Sequence, residues 1–278
     1  KKSATKQWRF FSFSLQLWAV CLFIFFDLTH VQIYILGNRY YYSFFLPVDV
    51  VLELQYLRHA FFRLRFNNTT VLTDPFMNNS LDDQNLKPLF KCPVSEKDLG
   101  KVDLILLSQE NFDHFDVKAV ESLCAKHRVT VVGHESVIQQ LNVPQNQKKP
   151  IMSGNKFTLL GIDIEVLPAH FPKSYYPVSY LLSDRKSSIF FAADTALTDS
   201  LNTVKADIAL LPIGGNETMD VVDAVRATKT IKPLYSIPMH YDTFESIKAD
   251  PNEFKQKIEK SILKTVPVIL RPGEKFSF

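Results

Sequence analysis

The chain has 278 residues, 46% hydrophobic and 22% charged, a balance too apolar and too weakly charged for a disordered protein. Its net charge of +3 excludes a strongly basic nucleic-acid footprint, and no nucleic-acid partner is expected. Cys21, Cys92 and Cys124 are widely spaced and form no Cys-x-x-Cys, which excludes a disulfide-stapled fold and a cysteine zinc finger, while seven histidines leave room for a histidine–carboxylate metal site.

Composition changes sharply near residue 49. Residues 1–49 hold both tryptophans (Trp8, Trp18), one glycine (Gly37), and the acids Asp27 and Asp49 against Lys1, Lys2, Lys6, Arg9 and Arg39. The chain's excess positive charge therefore lies here, and residues 50–278 are formally neutral. Phe10 to Phe26 is a run of 17 residues without a charge, preceded by four of those basic residues. That is the short end of a membrane span with a basic near side, and Val31 to Leu36 could extend or tilt it. Membrane association through residues 10–36 is the expectation, with a cytoplasmic protein carrying a plain extension over 1–49 as the alternative.

From residue 50 the pattern is that of an α/β protein. Val50 to Leu57 and Phe61 to Phe66 read as strands, and Asn67-Asn68 as a hairpin turn into Thr69 to Thr73, which Asp74-Pro75 ends. Val102 to Leu107 is a short apolar run of the kind buried on both faces. A helix follows over Val117 to Lys126, then a strand over Val129 to Val132. Further strands are expected at Ile162–Leu167, Val178–Leu182, Ile189–Ala192, Ile208–Leu211 and Leu234–Pro238, with helices at Met219–Thr230 and Pro251–Leu263. Strands first, then strands mixed with helices, twice over, imply two sheets packed face to face with helices outside.

Metal-competent side chains fall just after these apolar runs: Asp113 and His114 past Leu107, His170 after Leu167, Asp194 after Ala192, and His240 after Pro238. Loops at strand ends converge on one edge of a mixed α/β fold. A lone histidine there is more often structural, but four such loops are harder to dismiss, and imidazole with carboxylate suits Zn²⁺, Mn²⁺ or Fe²⁺ rather than Ca²⁺ or Mg²⁺.

In this order the motifs resemble those of the metallo-β-lactamase superfamily. Ser108-Gln109-Glu110-Asn111-Phe112-Asp113-His114 is similar to S-H-x-H-x-D-H, Tyr56 to Ala60 to Y-L-G-H-A/S, and Asp74-Pro75-Phe76 to the D-P-F/L turn. Ala169-His170 resembles the third histidine, Ala193-Asp194-Thr195 the G-D-T loop, Leu211 to Met219 the L-P-I-G-x-x-x-T-M stretch, and Pro238 to Phe244 the terminal P-M-H-Y-x-T-F. The last pair points to the metal-dependent hydrolases that include ascorbate-6-phosphate lactonase-like proteins. The resemblance covers residues 50–278 and implies an αββα sandwich there, distinct from the N-terminal segment 1–49.

The resemblance implies a two-ion site, from which this chain departs. Gln109 and Asn111 stand at the H-x-H positions, so one ion would keep only His170, whereas the other keeps Asp113, His114 and His240, with Asp194 at the bridging position. Neutral amides are poor substitutes for imidazole, so one strongly bound Zn²⁺ or Mn²⁺ is expected rather than two. The implied activity is hydrolysis of a small-molecule ester, lactone or phosphate-bearing substrate, with Asp113 or Asp194 as catalytic base. The alternative is a catalytically impaired binding protein on the same fold. His59, Gln109 and Asn111 are expected to support the site or face substrate, with His59 backing a ligand rather than ligating. His127 and His134 read as surface groups, Tyr175-Tyr176 as packing or a substrate wall, and Gly214-Gly215 as a tight turn.

Overall fold

The structure, a computed structural model, describes residues 31–36, 39–44, 52–79 and 87–278. Chain contacts separate residues 1–49 from Val50–Phe278. In the first unit β1 (Val31–Leu36) pairs antiparallel with β2 (Arg39–Phe44). The apolar Val31 to Leu36 is thus a strand and not a continuation of a membrane span, which corrects that part of the expectation. Its strand form follows from composition: β-branched Val31, Ile33 and Ile35 and aromatic Tyr34 favour extended backbone. Phe10 to Phe26 lies outside the described residues, and among the described ones no helix is long and apolar enough to cross a membrane.

The second unit is built on two seven-stranded mixed sheets. The first contains β3 (Leu52–Arg58), β4 (Phe61–Phe66), β5 (Thr69–Thr73), β6 (Leu104–Leu106), β7 (Thr130–His134) and β8 (Lys148–Ile151), in that order. The second runs β9 (Lys156–Leu159), β10 (Ile162–Pro168), β11 (Val178–Ser183), β12 (Ser188–Phe191), β13 (Ile208–Pro212), β14 (Tyr235–Met239) and β15 (Val266–Pro267). The chain then returns as β16 (Lys275–Ser277) to pair antiparallel with β3, closing the first sheet at its other edge.

Period-two alternation decides which side chains meet between the sheets. Leu52, Leu54 and Tyr56 of β3 and Phe62, Leu64 and Phe66 of β4 join Ile164 and Val166 of β10 and Tyr180 and Leu182 of β11 in one buried cluster. The opposite face of the first sheet (Leu57, Phe61, Leu72, Ile105, Val131) packs on Val120, Leu123 and Cys124 of α1 (Val117–Lys126). β13 is buried along its whole length, because α2 (Val221–Ile231) covers its outer face with Ala224, Ala227 and Ile231. The apolar run that reads as strand from composition is therefore apolar for a reason: it has no solvent face. This is the αββα layering expected from residue 50 onward.

The hairpin turn forms where expected, Asn67 taking the left-handed φ of +50° that suits Asn. In the second unit four strands escaped the sequence reading, namely β8, β9, β15 and β16, and they are the edges of its two sheets. Edge strands are short and charged, which discourages pairing with another chain and also erases the apolar alternation. Lys148, Lys149, Lys156 and Lys275 lie on them.

Arg58, at the end of β3, is fully buried. Its guanidinium Nη2 donates to the carbonyls of Phe76 (2.6 Å) and Asn78 (2.8 Å), Nη1 donates to Asn79 Oδ1 (2.9 Å), and the group lies 3.9 Å from the Phe76 ring centre. A planar fork makes these bonds together, and an ammonium cannot. Arg58→Lys is therefore expected to lower stability by about 2–4 kcal/mol through unsatisfied carbonyls, read as a fall in the denaturant midpoint with unchanged slope.

Candidate metal centre

Five strand ends deliver the polar groups of one buried cluster. The β3–β4 turn carries His59, the end of β5 Asp74, the loop after β6 Ser108 to His114, the loop after β12 Asp194, and the end of β14 His240. His59 (φ +62°), Asp74 (+38°), Ala193 (+52°) and His240 (+55°) are all left-handed, a conformation costing of order 1–2 kcal/mol at a non-glycine residue. Ala193 stands where the resembling family has glycine, so it carries strain that glycine would relieve. His240 N–H donates to the His59 carbonyl at 3.0 Å, joining the end of β14 in one sheet to the β3–β4 turn of the other. Gly214 makes room for this junction, since a Cβ there would lie 2.3 Å from the His240 carbonyl oxygen. The Gly214-Gly215 pair is thus more than a turn.

Asp74 orients His114. It accepts from Ser108 N–H (2.7 Å), Ser108 Oγ (2.5 Å) and His114 Nδ1 (2.7 Å), all buried. A carboxylate only accepts, so Nδ1 carries the proton and Nε2 faces inward. There it lies 3.1 Å from Asp194 Oδ2, while His240 Nε2 lies 2.9 Å from Asp194 Oδ1 and His59 Nε2 3.3 Å from Asp113 Oδ2. One nitrogen from each of His59, His114 and His240 falls within 4.8 Å of the other two. These atoms are close but poorly aligned for hydrogen bonds: His59 Nδ1 and Nε2, His114 Nε2, His240 Nδ1 and Asp194 Oδ1 are buried without one. Each such orphan costs about 1–3 kcal/mol. Lone pairs that converge instead of pairing fit a divalent ion, and imidazole with carboxylate is the donor set of Zn²⁺, Mn²⁺ or Fe²⁺.

The expected residues divide. Asp113, His114, Asp194 and His240 come together; His170 does not join the three-histidine cluster and is exposed at the end of β10, its backbone held by Thr195 Oγ1 and Ala196 N–H. His59, read as a supporting group, sits inside the cluster, its ring centre 3.9 Å from that of His240. Its place in the Y-L-x-H-A motif was the available signal, but only the left-handed turn aims it inward. Asp74 was visible as a turn residue with no role attached. Gln109 donates to Asp194, and Asn111 donates to Gln109. Phe76, Phe112 and Phe244 form a triangle of rings, centres 6.1–6.2 Å apart, against His59. Tyr176 stacks on His134 at 4.0 Å, which is packing, and Tyr175 is exposed.

Charge in the ion-free cluster is uneven. Burial, then the neighbouring His240, pushes His59 down to about 3, against the pull of Asp113. Burial acts to lower His114 as well, but Asp194 and then Asp74 outweigh it and hold His114 well above the ordinary histidine value. Burial likewise opposes ionisation of Asp194, and the His114 and His240 charges overcome it, leaving the carboxyl well below its ordinary range. The lowered His59 opposes folding as pH falls below 6.5, its unperturbed value; the stabilisation from the raised His114 is full below 6.5 and declines above it, as the unfolded chain loses a proton that the folded one still holds. Ion-free protein should therefore be most stable near pH 6.5, with Tm falling on both sides. In His59→Gln the acid limb should flatten while the alkaline limb remains.

A family model, the beta-lactamase superfamily domain, matches residues 53–240. A UPF0173 metal-dependent hydrolase from Aeropyrum pernix is 32% identical over 245 residues, covering 81% of this chain and 97% of that protein. One from Hyperthermus butylicus is 32% identical over 237 residues, covering 81% of this chain and 99% of its own length. Among solved structures, Igni18, described as a novel metallo hydrolase from Ignicoccus hospitalis, is similar at a TM-score of 0.70 and 26% identity, covering 82% of this chain and 98% of that one.

Proposed function

The chain belongs to the beta-lactamase superfamily, among its metal-dependent hydrolases, and from that premise we propose that it hydrolyses a small ester, lactone or phosphate-bearing substrate with one strongly bound Zn²⁺ or Mn²⁺. The observation that carries the reading is the convergence of His59, His114 and His240, the last two against Asp194, with buried nitrogens that have no hydrogen bond. His114, His240 and Asp194 would hold the ion, with His59 or Asp113 completing the set. When bound, such an ion supplies Lewis acidity and brings the pKa of water towards neutrality.

The protein's own residues divide the remaining work. Asp74 and Ser108 keep the His114 proton on Nδ1, so Nε2 stays available. Asp194 is almost completely buried, which suits an anchoring carboxylate, whereas the Asp113 side chain retains 19% exposure and can meet substrate. Asp113 is held below its ordinary range, burial opposing ionisation and the close approach of His59, then His114, favouring it. It is therefore a carboxylate at neutral pH, able to take a proton from an attacking water at Oδ. Phe76, Phe112 and Phe244 limit water on the His59 side and present Phe112, 38% exposed, to an apolar part of the substrate. A second reading, a binding protein without turnover, is favoured by one observation, the amides at Gln109 and Asn111 where the family carries imidazoles.

Elemental analysis of the reconstituted full chain is expected to give about one ion per chain, and a chain that takes up none would leave the binding-protein reading. Gln109→His with Asn111→His is expected to raise the ratio towards two. In a screen of lactones, phosphodiesters and thioesters with added Zn²⁺ or Mn²⁺, His240→Ala should lower kcat/KM by about a hundredfold or more; turnover indifferent to His240→Ala belongs to another site.

A further inference from the structure

The residues at the two altered positions are not idle. Gln109, 1% exposed, donates from Nε2 to Asp194 Oδ2 at 2.7 Å. Its other end, Oε1, accepts from Asn111 Nδ2 at 2.9 Å, and Asn111 Nδ2 also lies 3.4 Å from the Lys173 carbonyl. Next to them Glu110 accepts from Ser174 Oγ (2.8 Å) and Tyr175 N–H (2.7 Å), which holds the 173–175 loop against the same segment. The result is a directed chain, Asn111 to Gln109 to Asp194, running where histidines stand in the family pattern.

Direction is what matters in this chain. A primary amide can turn either end towards a neighbour, and an oxygen turned towards Asp194 would repel it. Asn111 excludes that orientation by placing a donor on Gln109 Oε1. Asp194 Oδ2 thereby takes its hydrogen bond from a neutral donor, with His114 Nε2 3.1 Å away on the same side, while Oδ1 is left buried with no hydrogen bond beside His240 Nε2. The carboxylate keeps one oxygen capped and one bare.

We propose that the Asn111–Gln109 amide chain takes the place of a second cation: it fixes the orientation of Asp194 and leaves Oδ1 free for a single ion, so that Gln109 and Asn111 are positioning residues. The inference rests on the one-ion reading of the site above, and adds that the amides maintain that ion's affinity.

The test is Zn²⁺ titration of the full chain against a competing chelator, with stoichiometry, and with Tm of the ion-free protein as the control for folding. Gln109→Leu, which removes the donor at similar volume, should weaken Zn²⁺ by about tenfold or more at a ratio of one. Asn111→Asp should also weaken it by about tenfold, because two acceptors then face Gln109 Oε1 and turn the amide over. In the Gln109→Leu background the same Asn111→Asp change should cost less than about threefold, since no amide remains to turn. A carboxylate acting only by its charge would strengthen Zn²⁺ binding, so tighter binding by Asn111→Asp overturns the proposal, as does unchanged affinity in Gln109→Leu. Both of those results leave the one-ion reading standing. An unaltered chain that binds no Zn²⁺, or two ions, overturns the one-ion reading and this inference with it.

Discussion

An ionised carboxylate enclosed between two sheets is the constraint to which the rest of this site answers. Asp194 is 3% exposed, and a charge so buried must be matched by donors or cations. Two imidazoles and one amide surround it, from the loop after β6 and the end of β14, so both sheets contribute to its neutralisation. Those groups are themselves committed. His114 is tied to Asp74, Gln109 to Asn111, and His240 to the His59 carbonyl. A change at any of them reaches Asp194 through one intermediate.

The backbone meets a related demand. The two sheets can share a site only if strand ends turn inward within a residue or two, and four left-handed residues do this at His59, Asp74, Ala193 and His240. Such conformations persist because the surroundings over-determine them. Tyr56 Oη accepts the His59 N–H at 3.1 Å, and Gly214 permits the His240 carbonyl to pass where no side chain would fit. Strain in the turns and neutralisation of the carboxylate are thus two sides of one arrangement.

The Gln109–Asn111 chain shows how such an arrangement absorbs a change of chemistry. Amides bind divalent ions poorly beside imidazole, yet they are good donors to a carboxylate. With them the cluster keeps a directed contact to Asp194 and trades a metal-binding position for a hydrogen-bonded one. The three-histidine convergence is retained beside this change: His114 Nε2 lies against the same oxygen, Asp194 Oδ2, that the Gln109 amide bonds, and His240 Nε2 against Oδ1.

Much of this protein was legible from residue order alone. The apolar runs at Val102–Leu107 and Ile208–Leu211 announced buried strands because they have no polar face, and the strand-end positions of Asp113, His114, Asp194 and His240 followed from where those runs stop. The edge strands were not legible, because their Lys residues and short length serve to prevent pairing and so remove the periodic signal. Nor was the division among the histidines. His59 enters the cluster and His170 stays outside it because a left-handed turn and the packing of two sheets set the direction of each ring, quantities that depend on residues more than a hundred positions apart in sequence. Motif spacing determined which residues could act; only the meeting of the β3–β4 turn with the end of β14 decided which of them share a site.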